Sequence, residues 1–284
     1  MKYLHRFHAG NFADVHKHVT LLALLAALKK KDKGFLYLDT HAGRGSYDLS
    51  TPTAEAEAGI GRFHAATHVA PELGAYAAQL AAWHDRPGQR HVYPGSPLLA
   101  ATSLRAQDRA VFVEQQGGEA HALEQALAAA RGAHACAPRV ERGDGFERLR
   151  GLLPPPERRA LAFIDPPYEE TRADFTRATA ALADSLTRFA TGVFAVWYPI
   201  KEERATASWL DACAHELAAP ALVSELWLYP RDSRVGLNGS GLLIVNPPWQ
   251  LRERMQAWLP ELQRTLAAGS AAGTAVRMLS ESPA

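Results

Sequence analysis

The chain has 284 residues, 47% of them hydrophobic, with a formal net charge of +1. That is enough for one large domain or a domain with an insertion, and the near-neutral charge says nothing by itself about nucleic acid. Two cysteines far apart in sequence, Cys136 and Cys213, exclude a disulfide framework and a cysteine zinc pattern, as suits a reducing cytosol.

The longest apolar run, Val19 to Leu28, is too short to span a bilayer. Lys29-Lys30-Lys31 follows it in place of a small-residue cleavage site, so it does not read as a signal peptide. The expectation is a soluble, cytoplasmic protein. Charge is unevenly distributed: residues 1–33 carry +5 and the rest of the chain −4. Such a basic segment is either a phosphate-binding patch or a solvated helix end where the dipole favours cations.

Taken in order, Asp14 to Lys30 has helical periodicity, and Phe35 to Leu38 reads as a strand running into Asp39-Thr-His-Ala-Gly-Arg-Gly45. A strand ending in a glycine-bearing turn is where a Rossmann-like fold brings its backbone close to a cofactor. The turn lacks both the dinucleotide fingerprint and the lysine and hydroxyl of a P-loop. Residues 48–90 lose strand-like alternation, and Leu73, Tyr76, Ala77, Leu80 and Trp83 recur at helical spacing. This stretch is expected to be a small helical insertion subdomain in a domain made of residues 1–47 and 91–284.

Ser96 is expected to cap a helix with Pro97 at its first position. Arg109 to Val113 is a second strand ending at Glu114, Glu119 to Ala130 a helix, and His134 to Val140 a third strand running into Glu141-Arg-Gly-Asp-Gly145. Leu161 to Ile164 is a fourth, broken by Asp165-Pro-Pro-Tyr168. A helix, a fifth strand (Val193 to Tyr198) and another helix follow. Leu222 to Tyr229 and Leu242 to Val245 are too close for a crossover helix and must be antiparallel. A last helix, Leu251 to Leu266, precedes a Gly/Ser/Ala-rich tail expected to fray.

Asp165-Pro-Pro-Tyr168 displays a carboxylate, two rigid carbonyls and a phenol at a strand end, the edge where open α/β folds bind ligands. A nucleobase amine is a poor nucleophile because its lone pair is delocalised into the ring. A carboxylate and a carbonyl that accept its two N–H bonds free that lone pair and stabilise the charge that develops on attack. An adjacent ring can stack on an unstacked base. The tetrapeptide resembles motif IV of the adenine-N6 methyltransferases, whose methyl donor is S-adenosylmethionine (SAM). Read blandly, it is a strand-to-helix turn with Asp165 as an N-cap.

Asn246-Pro-Pro-Trp249 also fits the pattern, but it ends the reversed strand and so lies at the opposite edge of the sheet. It reads as a cap before the last helix. Glu114 is placed to accept ribose hydroxyls, and Asp144 to accept a cofactor adenine amine, with Gly145 allowing close approach. Their bland readings are a solvated strand end and an N-cap. His5, His8, His16, His18 and His41 lack ligand spacing with any carboxylate, so no metal is expected. Tyr3, His5, Phe7 and His8 make an aromatic tail that looks tied to something. The Arg231–Gly241 loop, with Arg231 and Arg234, is a candidate RNA clamp, although such glycine-rich loops are ordinary.

Phe7-His-Ala-Gly-Asn11, Lys17-His18, the Phe35 to Gly43 stretch, Tyr93-Pro-Gly-Ser-Pro-Leu98, Asp144-Gly145 and both Pro-Pro sites together resemble the RlmJ family of 23S rRNA adenine-N6 methyltransferases. The resemblance implies a Rossmann-like α/β methyltransferase fold with a seven-stranded, mostly parallel sheet and one reversed strand in a C-terminal hairpin. It implies SAM as cofactor and 23S rRNA as partner; a monomer that binds no metal is the accompanying expectation. It also implies that His18, His41, Ser96, Glu114, Asp144, Gly145 and Asp165 line the SAM site. Asp165 would accept the amine proton, Tyr168 would stack on the target adenine, and Tyr3, His5 and Lys17 would touch substrate. The turn is less glycine-rich than in most methyltransferases. A DNA adenine-N6 methyltransferase, or a non-catalytic RNA-binding or assembly protein on this scaffold, are the competing readings.

Overall fold

The computed structural model describes residues 7–132, 135–267 and 269–280. Helix α1 (Phe12–Lys29) starts at Asn11, whose side-chain oxygen accepts from the Asp14 amide at 3.0 Å. The strand β1 (Leu36–Asp39) is buried along its whole length. The short β2 (Ser46–Asp48) leads into α2 (Ala54–Ala56), a π-helical turn (Glu57–Gly61), α3 (Arg62–Ala65) and α4 (Pro71–His84). Then β3 (Val92–Pro94) pairs antiparallel with β2 and closes this excursion.

The alternating part follows: α5 (Ser96–Ser103), β4 (Arg109–Glu114), α6 (Gly117–Ala129), β5 (Pro138–Arg142), α7 (Gly145–Leu152) and β6 (Ala160–Ile164). After these come α8 (Thr171–Arg188), β7 (Val193–Ile200), α9 (Glu203–Glu216), β8 (Ala221–Trp227), β9 (Gly239–Val245), α10 (Leu251–Leu266) and β10 (Gly273–Ser280).

The main sheet has the order β10-β8-β9-β7-β6-β1-β4-β5. Strands β5, β4, β1, β6 and β7 are parallel neighbours, and β9 is antiparallel to both β7 and β8. Chain order reverses at β1, between β4 and β6, which places the ligand crevice beyond the C-terminal ends of these three strands. Both sheet faces are covered, which is why these strands read as continuous apolar runs rather than alternating ones. Tyr37, Phe112 and Phe163 pack toward α1, α5 and α10, while Leu36, Leu38 and Ile164 pack toward α7, α8 and α9.

The structure departs from the sequence reading in three places. The main sheet has eight strands, because the tail expected to fray includes β10, which pairs antiparallel with the free edge of β8. The third strand begins at Pro138, a position that a proline can hold on an edge strand because it donates nothing. Asn246 does not cap the last helix. That position falls to Gln250, and Asn246 takes a left-handed φ of 54° while its amide ties down the carbonyls of Ala190 and Gly192.

Candidate active site

The C-terminal ends of β1, β4, β5 and β6 open into a cavity of about 1090 Å³. That is at or above the upper end of ordinary small-molecule sites, roughly 300–1,000 Å³, and leaves room for a cofactor and a base together. Of the sequence-selected residues within the described chain, His18, His41, Ser96, Glu114, Asp144, Gly145, Asp165, Tyr168 and Lys17 all line it. Tyr3 and His5 lie outside the described residues.

The Asp165 carboxylate follows β6 directly, where the two prolines stop the strand. Its Oδ2 accepts from Lys17 Nζ at 2.5 Å, and the same ammonium lies 3.1 Å from Asp14 Oδ1. Helix α1 therefore supplies a buried cation to the strand-end acid, and the Trp197 ring centroid lies 5.1 Å from that cation. Tyr168 takes a left-handed φ of 50°, a costly conformation for a non-glycine residue, and its hydroxyl donates to the Trp197 carbonyl at 2.6 Å. That bond anchors the turn next to Asp165. The ring is 2% exposed and lies edge-to-face with Phe175 and Trp197, so a base stacking on it would have to displace its neighbours.

Glu114, at the end of β4, accepts the Gly43 amide on Oε2 at 2.9 Å and the Gln116 amide on Oε1 at 2.7 Å. Burial raises its pKa against the pull of those amides. Asp144 caps α7 with Oδ1 on the amides of Phe146 and Glu147, and its Oδ2 accepts from Arg177 at 2.6 Å. Burial alone would raise its pKa, but the Arg177 guanidinium and the two amides outweigh it and hold the group low. The close approach that Gly145 allows is that of backbone: a Cβ there would lie 2.0 Å from the Thr40 carbonyl oxygen.

His41 packs edge-on against Phe146 and has Thr40 Oγ1 2.8 Å from its Nδ1. Burial pushes its pKa down to about 4, so the ring is neutral at pH 7. His18 Nδ1 faces the hydroxyls of Tyr93 at 2.9 Å and Tyr76 at 3.4 Å. Ser96 corrects the expectation of an N-cap: Gly95 holds that position, and Ser96 Oγ donates instead to Asp39 Oδ2 at 2.8 Å.

That contact exposes a residue the sequence reading passed over. Asp39 ends β1 and is fully buried. It also accepts from the Tyr37 hydroxyl and the His41 amide, so one carboxylate joins the first turn to α5. Burial pushes its pKa up to about 7, with Asp165 adding to the rise and the bonds from Ser96, His41 and Tyr37 opposing it. The rule that picked Glu114 and Asp165, an acid closing an apolar strand, selects Asp39 equally well. Arg177 had no such local signal.

His16 is a core histidine, with one ring nitrogen on Ser240 and the other on Ser224, each at 3.0 Å. Among the described residues, no group of three or more His, Cys, Asp or Glu is arranged to hold a metal ion. Nor is any helix there long and apolar enough to cross a membrane. Arg231 is drawn inward, pairing with the buried Glu225 through two guanidinium nitrogens at 2.8 and 3.2 Å.

Residues 32–278 match the family described as ribosomal RNA large subunit methyltransferase D, RlmJ. The chain belongs to this family. It is 39% identical over 274 residues to ribosomal RNA large subunit methyltransferase J of Escherichia coli, covering 94% of each chain. The Haemophilus influenzae protein of the same name is 37% identical over 270 residues, again with 94% of each covered. A crystal structure of a Legionella pneumophila protein superposes with a TM-score of 0.84 at 34% identity, over 95% of this chain and 98% of that one. RlmJ membership makes the chain a SAM-dependent methyltransferase. The cavity fits that cofactor: three carboxylates at or just beyond strand ends line it, Glu114, Asp144 and Asp165, and suit a ligand carrying a sulfonium and an ammonium group.

Proposed function

We propose that this chain methylates the exocyclic N6 of one adenine in 23S rRNA, with Asp165 and the Pro166 carbonyl accepting the two N–H bonds of the amine. The observation that carries this reading is the position of Asp165: it closes β6 inside the same cavity as Glu114 and Asp144, with rigid prolines behind it. When bound, SAM supplies a methyl group made electrophilic by its sulfonium. Everything else falls to the protein. Lys17 engages Asp165 Oδ2 and so fixes the carboxylate plane, leaving Oδ1 for the incoming amine. Asp165 and the Pro166 carbonyl draw the nitrogen toward tetrahedral geometry and stabilise the positive charge that builds there. Asp165 then takes the released proton. The chemistry calls for neither a covalent enzyme intermediate nor a metal.

Glu114 is the proposed acceptor for the cofactor ribose hydroxyls. Asp144, with most of its acceptor capacity already taken by Arg177 and two amides, offers its remaining lone pair to the cofactor adenine amine. Tyr168 supports the turn as it stands, and stacking on the target base would begin with its release from Trp197. Residues 48–90 are assigned as a helical insertion subdomain on a domain made of 1–47 and 91–284, and the protein as a cytoplasmic monomer. Asp14, Lys17 and His18 support the view that the N-terminal segment, residues 1–33, contributes to the cofactor and substrate site through the start of α1.

The test is to incubate the purified protein with labelled SAM and either deproteinised 23S rRNA or duplex DNA, then digest the product to nucleosides. Label in N6-methyladenosine from rRNA is expected. Label in DNA alone would make it a DNA methyltransferase, and label in neither would leave a binding protein on this scaffold.

A further inference from the structure

A second feature of the molecule lies at the opposite edge of the sheet. Helix α1 ends at Lys29, and the exposed Lys30, Lys31 and Lys33 follow just before β1 begins. Lysines here would ordinarily be explained by the helix terminus, whose last carbonyls lack intrahelical donors and whose dipole favours cations. In this chain other groups already do that work. The Arg105 guanidinium donates to the carbonyls of Lys29, Lys31 and Lys33, and Arg159 donates to those of Leu28 and Lys33. Lys29 itself reaches away to the Ser103 carbonyl at 2.7 Å.

The ammonium groups of Lys30, Lys31 and Lys33 are therefore surplus to the helix end. None of them forms an ion pair with a carboxylate among the described residues. Of the nearby acids, Asp108 is buried and held by Arg105, Glu157 is held by Arg109, and the fully exposed Asp32 has its carboxylate 3.9 Å from the Arg105 guanidinium. Like charges gathered in this way repel one another unless a polyanion covers them. Thirteen residues of helix separate Lys17 from Lys30, about 20 Å at 1.5 Å per residue. The patch is thus well removed from the target base.

We propose that Lys30, Lys31 and Lys33 form a second RNA-binding surface, which grips phosphates of a stretch of rRNA remote from the methylated adenine. The assignment rests on the rRNA reading above: three exposed lysines within four residues, offset there only by Asp32, offer a polyanion a dense positive field on a molecule whose residues beyond the first 33 carry a net −4. The contacts are to phosphates and carry no sequence information, so the surface orients and holds the RNA while the cleft selects the base.

The test is the triple variant Lys30→Gln, Lys31→Gln, Lys33→Gln in the full chain, all three positions being exposed. Binding of deproteinised 23S rRNA is measured over a salt series, alongside methylation of that RNA and of a short hairpin holding only the target adenine. The salt slope of binding should flatten by about 1 for each lysine removed. KM for 23S rRNA should rise about tenfold at low salt, while kcat, SAM affinity and KM for the hairpin stay within about twofold. An unchanged slope with unchanged KM overturns the proposal. So does an equal rise in KM on the hairpin, or loss of binding to anionic vesicles with rRNA binding intact. Failure of wild-type protein to methylate any rRNA would instead count against the function itself, because the binding arm reads the patch without any transfer.

Discussion

Two Pro-Pro turns in this chain look alike in sequence and end in different chemistry. Asp165-Pro-Pro-Tyr168 follows β6, a parallel strand, and opens into the large cavity. Asn246-Pro-Pro-Trp249 follows β9, which runs the other way, so it emerges at the opposite edge beside a separate pocket lined by Pro220 and Met278. At the first turn the polar head faces the cavity, while the aromatic ring is tucked in and bonded to Trp197. At the second the polar head is spent on the Ala190 and Gly192 carbonyls, and Trp249 is 85% exposed. Strand direction, rather than the tetrapeptide, decides which acid or amide can reach a reacting group.

The largest expected contrast is in turnover. Asp165→Ala should lower kcat by about a thousandfold or more, since it removes a group that acts on the charge forming in the transition state. SAM affinity should stay within about threefold. Single-turnover transfer from labelled SAM reads the first and calorimetry the second.

Next comes pH. Burial places the Asp39 pKa near 7, above its ordinary value of 3.8, so between those limits the folded state holds a proton that the unfolded chain has released. The stability this group contributes is therefore full below about pH 4 and is lost as pH rises through about 7. His41 and His16, pushed down by burial to about 4 and about 3, tilt the wild-type curve the other way, so the comparison with Asp39→Asn isolates the carboxylate. The stability of wild type relative to that variant should fall by a few kcal/mol from pH 4 to pH 7, an order-of-magnitude figure read from denaturant melts. A difference that grows with pH would contradict the burial argument.

A smaller effect is expected at Glu114→Gln, which loses charge-assisted bonds worth about 1.5–3 kcal/mol and should weaken SAM binding by about 10- to 100-fold. The smallest concerns the other edge. Asn246→Ala forfeits two hydrogen bonds and leaves alanine in a left-handed conformation, which should cost about 2 kcal/mol in a denaturant midpoint. Methyl transfer at saturating substrate should be unchanged.

Much of this was legible because the acids at strand ends are spaced by whole βα units, and an apolar run closed by a carboxylate is a local signal. Glu114 and Asp165 close apolar runs in that way, whereas Asp144, two residues past β5, is marked by the glycine that follows it. What could not be read depends on distant partners. Arg177 reaches Asp144 from α8, and Tyr76 brings the inserted helices onto His18. Ser96 looked like a cap because nothing nearby in sequence showed that the buried Asp39 needed its hydroxyl. The last strand, β10, exists because β8 offers a free edge, which a single sequence does not display.

The central claim is that the edge carrying Asp165 holds the cofactor and the edge carrying Asn246 does not. Amide hydrogen exchange with and without SAM tests this directly. Added protection is predicted at residues 40–45, 114–117 and 143–147, with none at 246–252. Protection confined to 246–252, with the first three segments unchanged, would contradict it.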